Sequence, residues 1–541
     1  MFVGIDIGGT FTDIVAVKEK NIIYQYKVRT STNILDCVLK ALDCLLAHIE
    51  KTTIQRLCIS TTIITNTIVK NKLPATSLLV MPGPGFNCEN SFPVEPRIIE
   101  GYVNHLGNIT SSPNINALKH FSSKRNIAIS GKFSVRNPKN EQVVESYLRN
   151  KDHTVNTVCA HRLSGKLNFL RRTNTAYYAA ATQQIFVEFT RQIQQAIDAR
   201  GIDTKVVILK ADAGTVDIKH SDANTAEFVF TGPAASVLGI KALINPTDEC
   251  IALDIGGTTT DISFWRNGEA ILNNKGAQIN GFNTSINTFY LHSLGLGGNS
   301  LIKILDKQIQ IGPDISTNCI CLGGEDLTLT DIFSVLGKVD FGNRAYVHEY
   351  LSRLGLCETF AQQVFDLAIT IVQQKLSDMI AEINRIPVYI VADVLAPQVF
   401  NPNRIIGVGG AAAGIIPALA EKMQLKYSIP EFAAVANALG AALAKPTIMA
   451  SIQANTLEGY YMLSQESVRH NTPRNFNKII ATEILLEHLR SLAKKNNLFI
   501  HESAIEVVEY EEYPVLSGYQ NSGLVINMTM QIKPDILNNI L

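Results

Sequence analysis

One nine-residue phrase occurs twice in this chain and sets narrow limits on how it can fold. Residues 6–14 read DIGGTFTDI and residues 254–262 read DIGGTTTDI, identical at eight of nine positions. Each copy follows an apolar run (FVGI, CIAL) and leads into another (IVAV, ISFW). An apolar strand, a Gly-Gly pair and a second apolar strand spell a β-hairpin. The copies lie too far apart for a solenoid, whose repeats recur every few tens of residues. The chain is therefore expected to hold two related domains, each opening with the same hairpin.

The rest alternates strand-like and helix-like segments. Behind the cap-like cluster Ser31-Thr32-Asn33, the residues Leu35, Val38, Leu39, Leu42, Leu45, Leu46 and Ile49 recur at helical spacing. Residues 57–60, 76–80, 206–209 and 388–391 read as strands. Residues 176–200, stopped by Gly201, and 358–385 read as long helices. This alternation predicts an α/β protein with mixed or parallel sheets covered by helices. Residues 81–140 are richer in Pro, Asn, Gly and Ser and read as long functional loops. After Lys445 come a strand-like GYYML, a helix over 477–495, and the strands EVVEY and GLVINMTMQI, a small α+β appendix. The expected domains are 1–175, 176–445 and 446–541.

Composition excludes several classes. A chain of 541 residues, 46% hydrophobic and 18% charged, is globular and long enough to bury a substantial core. Lys+Arg and Asp+Glu each number 48, so the electrostatic footprint of a nucleic-acid binder is missing and no nucleic-acid partner is expected. The 9 cysteines are scattered without a CxxC pair, and Cys319 and Cys321, one residue apart, do not have a zinc spacing. Free, mostly buried thiols fit a reducing compartment. Met1 leads into FVGIDIGG with an acid at Asp6, unlike a signal peptide. The uncharged stretch 405–420 is broken by glycines and Pro417 and is too short to span a bilayer. The expectation is a soluble, cytoplasmic protein without a membrane partner.

A Gly-Gly turn lets backbone approach a ligand closely, and its successive N–H groups form a nest for anions. Gly8, Gly9, Gly256 and Gly257 supply the turns, and Thr10, Thr12, Thr258 and Thr260 add neutral hydroxyl donors. Asp6 and Asp254 precede them. A carboxylate beside phosphate is repelled unless a divalent cation intervenes, so these acids point to Mg²⁺ held through oxygen or water. Two such hairpins facing across a cleft would grip a nucleotide's phosphates from both sides. A third piece, VGGAAAGIIPALA (408–420), places Gly409 and Gly410 between a strand and an apolar helix, a junction suited to packing on a nucleoside.

These three pieces, in this order, resemble the nucleotide site of the actin/sugar kinase/Hsp70 superfamily. Within it the chain resembles the hydantoinase A/oxoprolinase family. The carrying segments are GIDIGGTFTDIV (4–15), STTIITNTIV (60–69), EPRIIEGYVNHLG (95–107), TGPAASVLG (231–239), ALDIGGTTTDIS (252–263), LGLGGNS (294–300) and IGVGGAAAG (406–414). The resemblance implies two related ribonuclease H-like, actin-like ATPase domains around a nucleotide cleft. It implies an ATP- and Mg²⁺-dependent amidohydrolase that phosphorylates and opens a cyclic amide such as a hydantoin or 5-oxoproline, completed by a hydantoinase B-type second subunit. Ketone carboxylases, small-molecule kinases and ATP-driven reactivating factors share the core and stay open as alternatives, and self-assembly is compatible with the sequence.

On that resemblance Asp6 and Asp254 set metal and phosphate geometry, the two Gly-Gly-Thr turns cradle phosphate, and Gly409 and Gly410 face the nucleoside. Asp13 and Asp261 close the hairpins. Thr61, Thr62 and Asn66 are three uncharged groups suited to gripping an amide, and equally to capping a helix. Arg97 and His105 lie in the loop-rich stretch and could support substrate charge. Arg171-Arg172 reads as a solvated basic turn or, less simply, an anion clamp. Two segments depart from the family pattern: 312–331 lacks a Gly-Pro-rich run, and 211–214 reads Ala-Asp-Ala-Gly.

Overall fold

The computed structural model describes residues 1–541 apart from 32, 120, 122–124, 223, 274, 307, 386–398, 467, 497, 499–501, 518–519 and 538–541. The expected strand 388–391 and Thr32 of the cap cluster lie outside the described residues.

Both copies of the phrase fold as the expected hairpin. Phe2–Ile7 pairs antiparallel with Phe11–Lys18, and Cys250–Ile255 with Thr260–Arg266. Each hairpin nucleates a sheet of the same order. In the first, Asn21–Arg29 and Phe11–Lys18 lie on one side of Phe2–Ile7. The parallel strands Arg56–Thr61 and Lys205–Leu209 lie on the other, with Thr215–Asp217 at the edge. In the second, Glu269–Ala270 and Thr260–Arg266 flank Cys250–Ile255 on one side, and the parallel strands Arg404–Val408 and Lys426–Ser428 on the other. The fold is α/β, two lobes built on one plan.

Strand alternation sorts side chains between three cores. Val3, Ile5 and Ile7 point into the first lobe's own core, and Ile251, Leu253 and Ile255 into the second's. The opposite faces share one core: Val15, Val17, Cys58 and Leu209 from the first sheet and Cys250, Ala252, Trp265 and Val408 from the second. Between them lie the helices Thr231–Leu243 and Ala436–Leu443. They cross so closely that a Cβ on Gly239 would sit 2.1 Å from the Ala436 carbonyl oxygen, and one on Gly440 2.0 Å from that of Ala235. The second helix also lies on the first sheet, its Ala438 carbonyl against Gly4. Only glycine allows backbones this near.

The chain leaves the first sheet after Arg56–Thr61 to build a smaller parallel one, from Thr76–Met81, Asn126–Gly131, Asn156–Cys159 and Arg97–Ile98. The stretch expected as loops over 81–140 is thus partly sheet. The helix Phe169–Ala199 then leads back to the first sheet. It starts seven residues before the expected 176, because Asn168 caps it by accepting from the Arg171 amide. Its first turns carry buried polar groups that disguise a helix. Arg172 in particular is no solvated turn: its guanidinium is fully buried and donates to the carbonyls of Gly131, Lys132 and Lys166. Asn33 stands at the N-cap of Ile34–Leu46 but makes no side-chain cap bond.

The region after 445 is the expected α+β unit. Five antiparallel strands run in the order Arg469–Asn471, Tyr460–Leu463, Met449–Asn455, Gln520–Ile532, Ile505–Ser517. Lys478–Lys495, capped by Asn477, buries Leu485, Leu489 and Leu492 against Ile452, Ile526 and Met528. Among the described residues no helix is long and apolar enough to cross a membrane.

Candidate active site

The two Gly-Gly turns meet. In each, the first glycine amide donates to the carbonyl three residues on, Gly8 to Phe11 and Gly256 to Thr259, both at 3.0 Å. The Thr10 and Thr258 hydroxyl oxygens lie 3.0 Å apart. A Cβ on Gly257 would fall 3.0 Å from the Thr10 hydroxyl and 2.9 Å from Asn299 Nδ2. The segment 297–299 backs the second turn, the amides of Gly298 and Asn299 donating to the carbonyls of Gly256 and Gly257. Thr12 and Thr260 are buried beneath, their hydroxyls engaged with Thr30 Oγ1 (3.1 Å) and the Leu296 carbonyl (2.7 Å). The Thr10–Thr258 pair is thus at the meeting point, while Thr12 and Thr260 brace it.

Register brings four carboxylates together. Asp6 is directly opposite Asp13, and Asp254 opposite Asp261. All four share the strand phase of the inter-lobe core: Asp6 with Gly4, Asp13 with Val15, Asp254 with Ala252, Asp261 with Trp265. Like charges directly opposite each other destabilise a sheet, so folding alone does not call for them. Burial raises all four carboxyls. Asp6 reaches about 7, first by burial, held back in part by the nearby Ser60 hydroxyl and raised further by Asp13 and Asp254. Asp261 also reaches about 7, by burial and then by Asp254. Asp254 is raised by burial against hydrogen bonds from Asn437 and Ser236. Asp13 is raised by burial although Lys27 holds both its oxygens, at 2.6 and 2.7 Å.

Gly409 and Gly410 stand at the expected strand–helix junction, between Arg404–Val408 and Ala412–Met423. Gly409 has φ +89°, and a Cβ there would lie 2.5 Å from Asp254 Oδ1 and from the Ile255 carbonyl oxygen. Its amide donates to Ala433 (2.8 Å). A Cβ on Gly410 would meet open space. The third piece therefore abuts the second hairpin.

Thr61, Thr62 and Asn66 sit at the end of Arg56–Thr61 and the start of the helix Ile63–Val69. The Thr62 hydroxyl donates to the Ile7 carbonyl (3.0 Å), at the foot of the first turn, and accepts from Asn66 Nδ2 (3.1 Å). Thr61 is buried and exchanges hydrogen bonds with Thr231. Thr62 is therefore tied to the foot of the first turn, and Asn66 to it through Thr62. Arg97 donates to the Ala117 carbonyl (2.7 Å) and lies over the Phe121 ring, and the His105 carbonyl accepts from Arg136, so both serve the inserted sheet's loops.

Three residues at the site escaped the sequence reading. Lys27 is the cross-strand neighbour of Asp13 and was legible once Asn21–Arg29 is placed as a third strand. Asn299 lay inside the LGLGGNS segment, but nothing marked its side chain. Asn437, 2.9 Å from Asp254 Oδ2, had no local signal at all. A separate cavity of about 730 Å³ lies where the first lobe meets the C-terminal unit, and no residue of either turn lines it.

Comparison with known proteins agrees with this plan. The model of the hydantoinase/oxoprolinase family matches residues 172–450, and that of the hydantoinase/oxoprolinase N-terminal region matches residues 2–152. The caprolactamase subunit alpha of Pseudomonas jessenii is 23% identical over 325 residues, 58% of this chain and 47% of that protein. The chain spans about half the length of such curated relatives. Two solved structures share the fold, each covering 98% of this chain and 87% of theirs at 18% identity. They are nucleotide-free acetone carboxylase (TM-score 0.72) and the ATP-dependent caprolactamase from Pseudomonas jessenii (TM-score 0.69). With the paired hairpins, the abutting glycine junction and a family model spanning more than half its length, the chain belongs to the hydantoinase/oxoprolinase family.

Proposed function

We propose that this chain is the ATP-binding subunit of an enzyme that phosphorylates the carbonyl oxygen of a small cyclic amide and so opens its ring. The observation that carries the reading is the meeting of two Gly-Gly-Thr turns, Thr10 against Thr258, above four inward carboxylates. The turns would hold the triphosphate, and Gly409 and Gly410 the nucleoside beside it.

The carboxylates fit Mg²⁺. Asp6 Oδ1 is buried without a hydrogen-bond partner, and Lys27 is the cation that meets the acids. Asp6 and Asp254 would hold the ion, which supplies charge neutralisation on the phosphates when bound. The chain's own groups do the rest. The Thr10 and Thr258 hydroxyls and turn amides orient the terminal phosphoryl group, and Lys27 pairs with Asp13 and holds it clear of the phosphate. Thr62 and Asn66, fixed to the first turn through Ile7, position the substrate amide.

The γ-phosphorus forms a bond to the amide oxygen as its bond to ADP breaks. Water then adds to the activated carbon, the C–N bond opens as nitrogen takes a proton and leaves an acyl phosphate, and a second water releases phosphate and the carboxylic acid. An unactivated amide carbonyl is a poor electrophile at neutral pH, which is why ATP is spent.

We further infer a hydantoinase B-type partner, in line with a relative described as a subunit alpha, and a cytoplasmic setting, in line with nine free cysteines. The test is purification from the native host with co-purifying chains, then ADP release across a panel of lactams and imides. ADP release coupled to ring opening of one cyclic amide supports the reading. Turnover that needs bicarbonate and a ketone makes the protein a carboxylase subunit. A stable phosphorylated product without a partner makes it a kinase, and stimulation by a protein client alone makes it a reactivating factor.

A further inference from the structure

The segment that backs the second turn continues into a cluster that the proposed reaction does not use. Cys319 precedes the short turn Ile320–Leu322 and Cys321 lies within it, with their sulfurs 3.8 Å apart. Asp331, from the first turn of the helix Leu329–Val335, brings a carboxylate oxygen within 4.8 Å of both. All three are buried, at 4%, 1% and 0% exposure.

The carboxylate is held in place by its own contacts. Asp331 Oδ1 accepts from the Cys321 amide (2.7 Å), and Oδ2 from the Thr328 amide and hydroxyl (2.8 Å each). Oδ1, with its single hydrogen bond, keeps lone-pair capacity for a further partner. In a tetrahedral site with Zn–S bonds of about 2.3 Å, two sulfur ligands stand about 3.8 Å apart. The two thiols already have that separation.

A second buried trio, Glu141, Cys159 and His161, makes the contrast clear. There Glu141 is closed onto His161 Nδ1 at 2.6 Å, and the Arg172 guanidinium bears on it. A cation entering that trio would meet a cation. At Cys319 and Cys321 the charged neighbour that acts on both sulfurs is the anion Asp331.

We propose that Cys319, Cys321 and Asp331 bind one thiophilic divalent cation, of which zinc fits the sulfur spacing. Binding forms two metal–sulfur bonds, one metal–oxygen bond to Asp331 and one to a water that completes the tetrahedron, and both thiol protons leave to solvent. The ion's role is structural. Between the cluster and the cleft, the Ser316 amide donates to the Asn299 carbonyl (2.9 Å), and Arg29 of the first lobe donates to the Thr317 carbonyl (2.7 Å). A metal at 319–331 would fix the strip that joins Asn299 to the opposite lobe.

The test uses the full chain, expressed with zinc supplied and purified reduced without chelator. Elemental analysis should find about one zinc per chain, falling at least about tenfold in the double variant Cys319→Ser/Cys321→Ser, which keeps side-chain volume nearly unchanged. Cobalt titrated into the metal-free protein should give sulfur-to-metal charge-transfer absorption that the double variant lacks. Zinc-free protein with no cobalt band, undiminished zinc in the double variant, or a native Cys319–Cys321 disulfide by mass spectrometry each overturns the proposal. None of these readouts depends on the reaction proposed above.

Discussion

Thr10 Oγ1 and Thr258 Oγ1 share a hydrogen bond of 3.0 Å although 248 residues separate them. That contact joins the two lobes at the tips of their matching turns. Thr10→Val and Thr258→Val should each cost about 1 kcal/mol, the usual worth of one hydrogen bond, and the double variant should cost little more than either single. Chemical denaturation of the three variants measures this; fully additive losses would mean the hydroxyls do not interact.

Asp254→Asn removes the charge while leaving the side chain's shape beside Gly409 and Asn437. ATP turnover should fall at least about a hundredfold, the scale on which charge-positioning groups matter in phosphoryl transfer, with the melting temperature moving by only a few degrees. Turnover near the wild-type rate would remove Asp254 from the machinery.

Acidity gives a third prediction. Asp6 and Asp261 stand at about 7 in the folded chain against 3.8 as ordinary carboxyls. Between about pH 4 and 7 the folded state therefore holds protons that the unfolded chain has released, so stability drops as pH rises through this window. The ceiling is about 4 kcal/mol per group. The denaturation midpoint should decline from pH 5 to pH 8, Asp6→Asn should flatten the decline, and magnesium with ATP should offset it at pH 8. A midpoint that climbs over this range would reverse the assigned signs.

At position 409 the backbone has φ +89° and the space for a Cβ is taken by Asp254 and Ile255. Gly409→Ala should lose about 2–4 kcal/mol, combining left-handed strain with overpacking. Nucleotide affinity by calorimetry should weaken in step, whereas Gly410→Ala, which meets open space, should fold normally.

Much of this was legible because the informative signals were local. DIGGT followed by an apolar run fixes a hairpin wherever it occurs, and the second copy doubled the inference. The strand–glycine–helix junction at 408–412 was equally plain. Helix 169–199 was placed late because Arg172, Thr173, Asn174 and Thr175 look like a polar loop, and only the tertiary fold shows that they are buried and bonded. Strand 126–131 was hidden because its apolar run is only Ile127-Ala128-Ile129, between SSKRN and SGK. Asn437 reaches Asp254 through helix packing, which no sequence period reports. Asp331 joins the two cysteines through a capping box ten residues away, so the pair looked unremarkable when read as spacing alone.

The helix crossing at Gly239 and Gly440 has a consequence for biosynthesis. Ala436–Leu443 rests on Gly4, so the strand made first is covered by one of the last helices made. A nascent chain holding every strand of the first lobe still exposes the apolar face of Val15, Val17 and Leu209 until residue 443 has emerged. Translation therefore leaves a long interval in which that face lacks its native cover, and a gene split between the lobes would have to deliver both halves at the same time and place.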